Sequence, residues 1–187
     1  GTDYKIDAFG NLTVLSFDNI TEGDTLSISY NKLDVTQVSD ADIVGTITDQ
    51  TYTGFKMFEV AFATFGYNPK ILICPTFCEN AAVATEMIAK AASLRALALI
   101  DAPSFNTSSD AISDVTAERG VTGTYAGFQT GSKDVYLLYP YLKRFDAVSN
   151  ATVITPPSPY VAGVISATDN KRGFWYSPSN KTILGIT

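Results

Sequence analysis

Histidine is absent from the 187 residues. That absence removes the Ser-His-Asp triad, the Cys-His dyad, His-ligated zinc and any imidazole-based pH switch. Cysteine is scarce, with Cys74 and Cys78 the only two. Their C-x3-C spacing is one residue longer than the thioredoxin-type motif, and no further ligands complete a zinc site. Two reduced, mostly buried thiols in a cytoplasmic product are expected. Charge is thin as well, 17% of residues against 45% hydrophobic, which leaves some apolar surface to meet a partner. No apolar run approaches the roughly 20 residues of a membrane span, and the longest, 96–100, has the length of a strand. A soluble chain without a membrane partner is expected.

What charge there is leans acidic: 13 Lys+Arg against 19 Asp+Glu give a formal −6. Lys143-Arg144 and Lys171-Arg172 are the only adjacent basic pairs. They are too few to neutralise a phosphate backbone, so no nucleic-acid partner is expected. The length suits one compact body, or one with a small appendage. Gly1 in place of Met, the lack of a leader pattern and the apolar end at 182–187 read as an internal fragment.

Residues 1–50 are expected to form a small β-rich appendage. Apolar and polar residues alternate over 4–7, 11–17 and 25–30, with turn residues at Gly10-Asn11 and Glu22-Gly23-Asp24, which predicts an antiparallel three-stranded meander. Residues 51–187 read as an α/β core. Ser39 caps a helix from Asp40, and Thr53 caps a second over 54–65 that carries Phe55, Phe58, Val60, Phe62 and Phe65. The run 71–74 predicts a buried central strand, 80–94 a helix, 96–100 a second strand, 110–119 a polar helix, 135–139 a third strand and 146–155 a fourth. A last helix starts at Ser158-Pro159, with Gly163 allowing close approach. Continuous apolar strands separated by helices indicate a mostly parallel sheet covered by helices. The class is therefore α/β, or α+β when the antiparallel meander is included.

Ligands of open α/β sheets bind beyond the carboxyl ends of the strands, here Cys74-Pro-Thr76, Asp101-Ala-Pro103 and Tyr139-Pro-Tyr141. Asp101 stands where a catalytic or metal-binding acid would, and a small-molecule-binding α/β enzyme using the Asp101 and Thr76 loops is the alternative reading. The plainer one is a carboxylate capping the turn at Ala102-Pro103. Residues 130–134 lack Walker order, and the glycines of 120–127 follow a helix instead of a strand. The aromatics Tyr136, Tyr139, Tyr141, Phe145 and Tyr160 fit a sheet face or a protein interface. No catalytic residue, metal ligand or cofactor is assigned.

The string 155–163, Thr-Pro-Pro-Ser-Pro-Tyr-Val-Ala-Gly, is followed by Ala167-Thr-Asp169, Arg172-Gly-Phe-Trp175 and Ser177-Pro-Ser-Asn180. Together these resemble the contractile tail sheath proteins of bacteriophages. Residues 69–75, the Ala-rich stretch to Leu94-Arg95, 98–103, 117–119, 135–140 and parts of the β-rich start are similar to the same family, so the resemblance covers nearly the whole chain. Ser166, where a basic residue is common, and Tyr176-Ser177, where Lys-Ala is often seen, depart from it. So does the lack of the sheath's N-terminal region and C-terminal domain.

The resemblance implies a structural subunit and no enzyme. Such subunits form hexameric rings stacked helically around a tail tube and contract on a signal from the baseplate, driving the tube through the host envelope. The implied location is the virion tail, assembled in the bacterial host cytoplasm, with the fragment itself monomeric for want of linking arms. Pro157, Ser158, Pro159, Tyr160, Gly163, Asp169, Arg172, Gly173, Trp175, Pro178 and Asn180 are the family-motif positions, with structural roles. Ser158 would cap the last helix, Pro159 set its first turn, and Tyr160 and Trp175 anchor it on the sheet. Gly173 and Pro178 would shape the loop into a strand at 181–185.

Overall fold

The computed structural model describes residues 4–6, 12–15, 23, 25, 34–102, 115 and 130–187. The chain divides into two units, Gly1–Val35 and Thr36–Thr187. In the first, β1 (Tyr4–Ile6) and β2 (Leu12–Val14) pair antiparallel with Tyr4 opposite Val14. The first hairpin expected from the alternation is therefore present. Of the third expected strand, 25–30, only Thr25 lies among the described residues.

The second unit opens on a capping box at α1 (Asp40–Val44). Ser39 Oγ accepts the Asp42 N–H at 3.3 Å, while Asp42 Oδ2 accepts the Ser39 N–H at 2.9 Å and its hydroxyl at 2.7 Å. Gly45 ends the helix and lies against Gly54. A Cβ on Gly45 would overlap the Thr53 carbonyl, one on Gly54 the Ile43 carbonyl, and both residues have positive φ, so only glycine fits either place. Between them stands a short hairpin that the sequence reading did not anticipate, β3 (Ile47–Thr48) and β4 (Thr51–Tyr52). Its two-residue turn, Asp49-Gln50, has positive φ at both positions, as two-residue hairpin loops prefer.

Thr53 does not cap a helix. Its Oγ1 accepts the Thr46 N–H at 2.8 Å across the hairpin base, and the segment expected as one α-helix is a 3-10 helix, Gly54–Val60, followed by α2 (Ala61–Phe65). Aromatic and β-branched residues lose rotamer freedom in an α-helix. In the 3-10 form Phe55 and Phe58 line up at i and i+3, with ring centroids 5.7 Å apart. Lys56 to Glu86 at 2.7 Å, and Lys90 to Glu59, tie this segment to α3 (Ala81–Leu94).

The sheet is parallel, β5 (Ile71–Ile73), β6 (Leu97–Asp101) and β7 (Val135–Leu138), in that order. The strand expected at the centre, 71–74, lies beside β6, which is the middle one of the three. Leu72 is buried but Ile73 stays 38% exposed, as a strand paired on one side can leave it, whereas Ala98 to Asp101 are all buried. Ala98 and Ile100 share one pleat face and pack with Leu72, Val83, Met87 and Ala91, so α3 covers that face. Burial of a side chain such as Val83 or Met87 contributes about 1.5–3 kcal/mol. Leu99 and Asp101 point to the other face, where α4 (Ser158–Arg172) lies with Ile165 buried. Helices on both faces of a parallel sheet give the expected α/β class.

The expected fourth parallel strand, 146–155, is instead half of an antiparallel hairpin outside that sheet, β8 (Leu142–Asp146) paired with β9 (Ala151–Thr155). The Asp146 carboxylate turns the chain by accepting the Ser149 N–H at 3.2 Å and hydroxyl at 2.7 Å, and Asn150 takes positive φ. No strand forms over 181–185, although the Thr187 N–H reaches the Lys143 carbonyl at 2.9 Å. The helix expected at 110–119 lies outside the described residues except Val115, which is helical. No helix among the described residues is long and apolar enough to cross a membrane.

Candidate functional site

Asp101, at the carboxyl end of the middle strand, is buried and its two oxygens are both engaged. Oδ1 accepts the Ser158 N–H at 2.8 Å, and Oδ2 accepts the Ser158 hydroxyl at 2.6 Å. The Cys78 thiol lies 3.6 Å from Oδ2, and the Asp101 N–H donates to Cys78 Sγ at 3.3 Å. The carboxylate caps α4 from another element, and the turn at 102–103 expected as its partner lies partly outside the described residues. Ser158 is not the N-cap. Pro157 occupies that position with no side chain to accept a bond, Ser158 is the first helical residue, and Asp101 provides the acceptor. A negative group there also meets the positive end of the helix dipole.

Burial pushes the Asp101 carboxyl above its usual range, against the pull of the Ser158 bonds. Burial likewise pushes up the Cys78 thiol, strongly, and the Cys74 thiol. Both cysteines are free and their thiolate forms are disfavoured, Cys78 buried and Cys74 half-buried. Tyr141 donates its hydroxyl to Glu79, and burial with that bond raises its phenol well above the ordinary value. Thr76 sits in the turn after β5 with positive φ, and its side chain caps nothing. No group of three Asp, Glu or Cys residues among the described residues could hold a metal ion. A sequestered carboxylate with both oxygens bonded is placed to hold a helix and has no free oxygen for a ligand.

The remaining motif residues gather on the outer side of α4. Pro159 stands in its first turn, and the Asp169 carbonyl accepts the Gly173 N–H at 2.9 Å where the helix ends. Gly163 does not serve close helix packing. A Cβ there would meet nothing within 4 Å, and the hollow belongs to a cavity of about 540 Å³ between α4 and residues 181–184. Tyr160, Val164, Ile183 and Leu184 line it. Tyr160 therefore faces the cavity's interior instead of anchoring the helix on the sheet.

Trp175 is not an anchor either. It is 75% exposed, stands edge-on to Phe174 at 5.3 Å, and covers Gly173, where any Cβ would overlap the indole. The positive φ of Gly173 turns the chain out of the helix and carries the aromatic run with it. Pro178 lines a second cavity, of about 300 Å³, beside Tyr136 and Ile165, and Asn180 is exposed with positive φ. Sequence reasoning missed Tyr176 and Lys181. The Arg172 guanidinium lies 4.7 Å and the Lys181 ammonium 5.2 Å from the Tyr176 ring centre, so two cations share one aromatic ring at the cavity mouth. The interrupted spacing of Arg172, Tyr176 and Lys181 is the one signal that could have found them.

Residues 45–187 match the family model described as phage tail sheath protein central domain. The chain is 37% identical over 190 residues to a tail sheath protein of Burkholderia phage BcepMu, an alignment covering 100% of this chain and 39% of that protein. It is 36% identical over 135 residues to a putative prophage major tail sheath protein of Pseudomonas aeruginosa strain UCBPP-PA14, covering 72% of this chain and 32% of that protein. The chain thus spans well under half the length of these curated relatives.

Proposed function

The chain belongs to the phage tail sheath protein family, and from that membership we propose that it works as a structural subunit of a contractile tail, with no catalytic step. Copies polymerise as hexameric rings stacked helically around the tail tube. A baseplate signal releases contraction, which drives the tube through the host envelope. The working location is the virion tail, after assembly in the host cytoplasm. Residues 1–35 act as a small β appendage and residues 36–187 as the core. The eleven motif positions, Pro157 to Asn180, serve to place α4 and its outer surface.

The observation that carries this reading is the clasp of Asp101 on Ser158. It commits the carboxylate at the end of the middle parallel strand to fixing a helix to the sheet, which suits a part that passes force through its surfaces. Antibodies raised against the chain test the proposal. In electron micrographs of lysates from producing cells they should decorate regular sleeves around rigid tubes. Label confined to unassembled material would overturn it. The isolated chain should sediment as a monomer at micromolar concentration.

A further inference from the structure

Charge is segregated along this chain. Residues 33–55 hold four aspartates, Asp34, Asp40, Asp42 and Asp49, and no Lys or Arg, whereas 170–187 hold Lys171, Arg172 and Lys181 and no Asp or Glu. Those three cations stand at the cavity beside α4, and no ion pair holds any of them among the described residues. The cavity is apolar within and cationic at its rim. The β3–β4 hairpin has the opposite character. It presents Ile47, 49% exposed, beside the exposed tip residue Asp49, which has no ion pair among the described residues either. The Gly45–Gly54 contact at its base is one that only glycine permits.

We propose that the α4 cavity receives the β3–β4 hairpin of a second copy of this chain, with Ile47 against the apolar lining and Asp49 at the Lys171, Arg172 and Lys181 rim. The contact cannot close within one molecule. The hairpin follows α1, which packs with α3 on one face of the sheet, and the cavity lies along α4 on the other. Two different surfaces of the same chain meet, so the contact is heterologous and either closes into a ring or runs on as a helix. One small contact of this kind is weak by itself and is multiplied in an array. This inference rests on the chain working as one of many identical copies.

Sedimentation of the purified chain at submillimolar concentration and low salt tests it. Association beyond the dimer that salt weakens is expected. Asp49→Lys or Lys181→Asp alone should weaken it about tenfold or more by setting like charges together, and the two combined should restore it. Gly163→Phe, which fills the cavity from a position with free space, should abolish association without lowering the melting temperature. Absence of association, single variants that associate like the parent, a double variant without recovery, or Gly163→Phe associating normally would each overturn the contact. Decorated sleeves together with a failed charge swap would remove this contact and leave the sheath reading standing. A successful swap without sleeves would support the contact and remove the reading.

Discussion

Ser39 with Asp42 and Ser158 with Asp101 set the same two groups at a helix start, one at the surface and one in the interior. The hydrogen bonds are alike: each carboxylate accepts one serine N–H and one serine hydroxyl within 2.9 Å. The titration behaviour is opposite. The Ser39 bonds hold the Asp42 carboxyl below its ordinary value, whereas burial carries Asp101 above it despite the Ser158 bonds. Solvent access decides the sign, since water stays available to one anion and is withdrawn from the other. It also decides what a deletion does. A surface group left alone is rehydrated, and a buried one is not.

The sharpest way to break this comparison is Asp101→Ala, which strips the acceptor from the Ser158 N–H, the Ser158 hydroxyl and the Cys78 thiol. A loss of about 2–4 kcal/mol in denaturant unfolding is expected, and a loss within that of an ordinary surface change would erase the distinction. Ser158→Ala keeps the backbone bond and removes the hydroxyl one, so about 1–2 kcal/mol should go, read the same way. Ser39→Ala removes an exposed cap, for which about 1 kcal/mol or less is expected in thermal melts.

The smallest effect and the most discriminating is a pair of pH slopes. Folded Asp42 titrates below 3.8, so its contribution is present above that value and is lost as pH falls through the lower folded one. Folded Asp101 titrates above 3.8, so the contribution of its protonated form is complete below 3.8 and is lost as pH rises through the folded value. The stability of the parent relative to Asp101→Asn should therefore grow as pH falls toward about 4, and relative to Asp42→Asn it should shrink below about pH 4. Slopes of one sign in both series would show that solvent access does not separate the two sites.

Local signals were legible in the sequence and distant ones were not. The capping residue Ser39, the Ala-rich α3 and the start of α4 at Ser158-Pro159 all follow from residues a few positions apart. The clasp joins residues 57 apart, and neither Asp101 nor Ser158 carries any mark of the other. Residues 146–155 were read as one strand because Asp146 and Asn150 look like ordinary polar ends until Asp146 folds back on Ser149. Phe55 to Phe65 displayed helical spacing, which cannot distinguish an α-helix from a 3-10 helix running into a short α turn. Trp175, which the resemblance makes an anchor on the sheet, is directed outward by the turn at Gly173. The cavity beside α4 is a space between two segments, and no residue pattern states how far apart they lie.

The joint between Asp101 and Ser158 has a mechanical corollary. It binds the tip of the middle strand to the first residue of α4 through one short and fully buried aspartate side chain. A pull applied along the helix is thereby delivered to the sheet without slack, and strand and helix must rotate as a single lever.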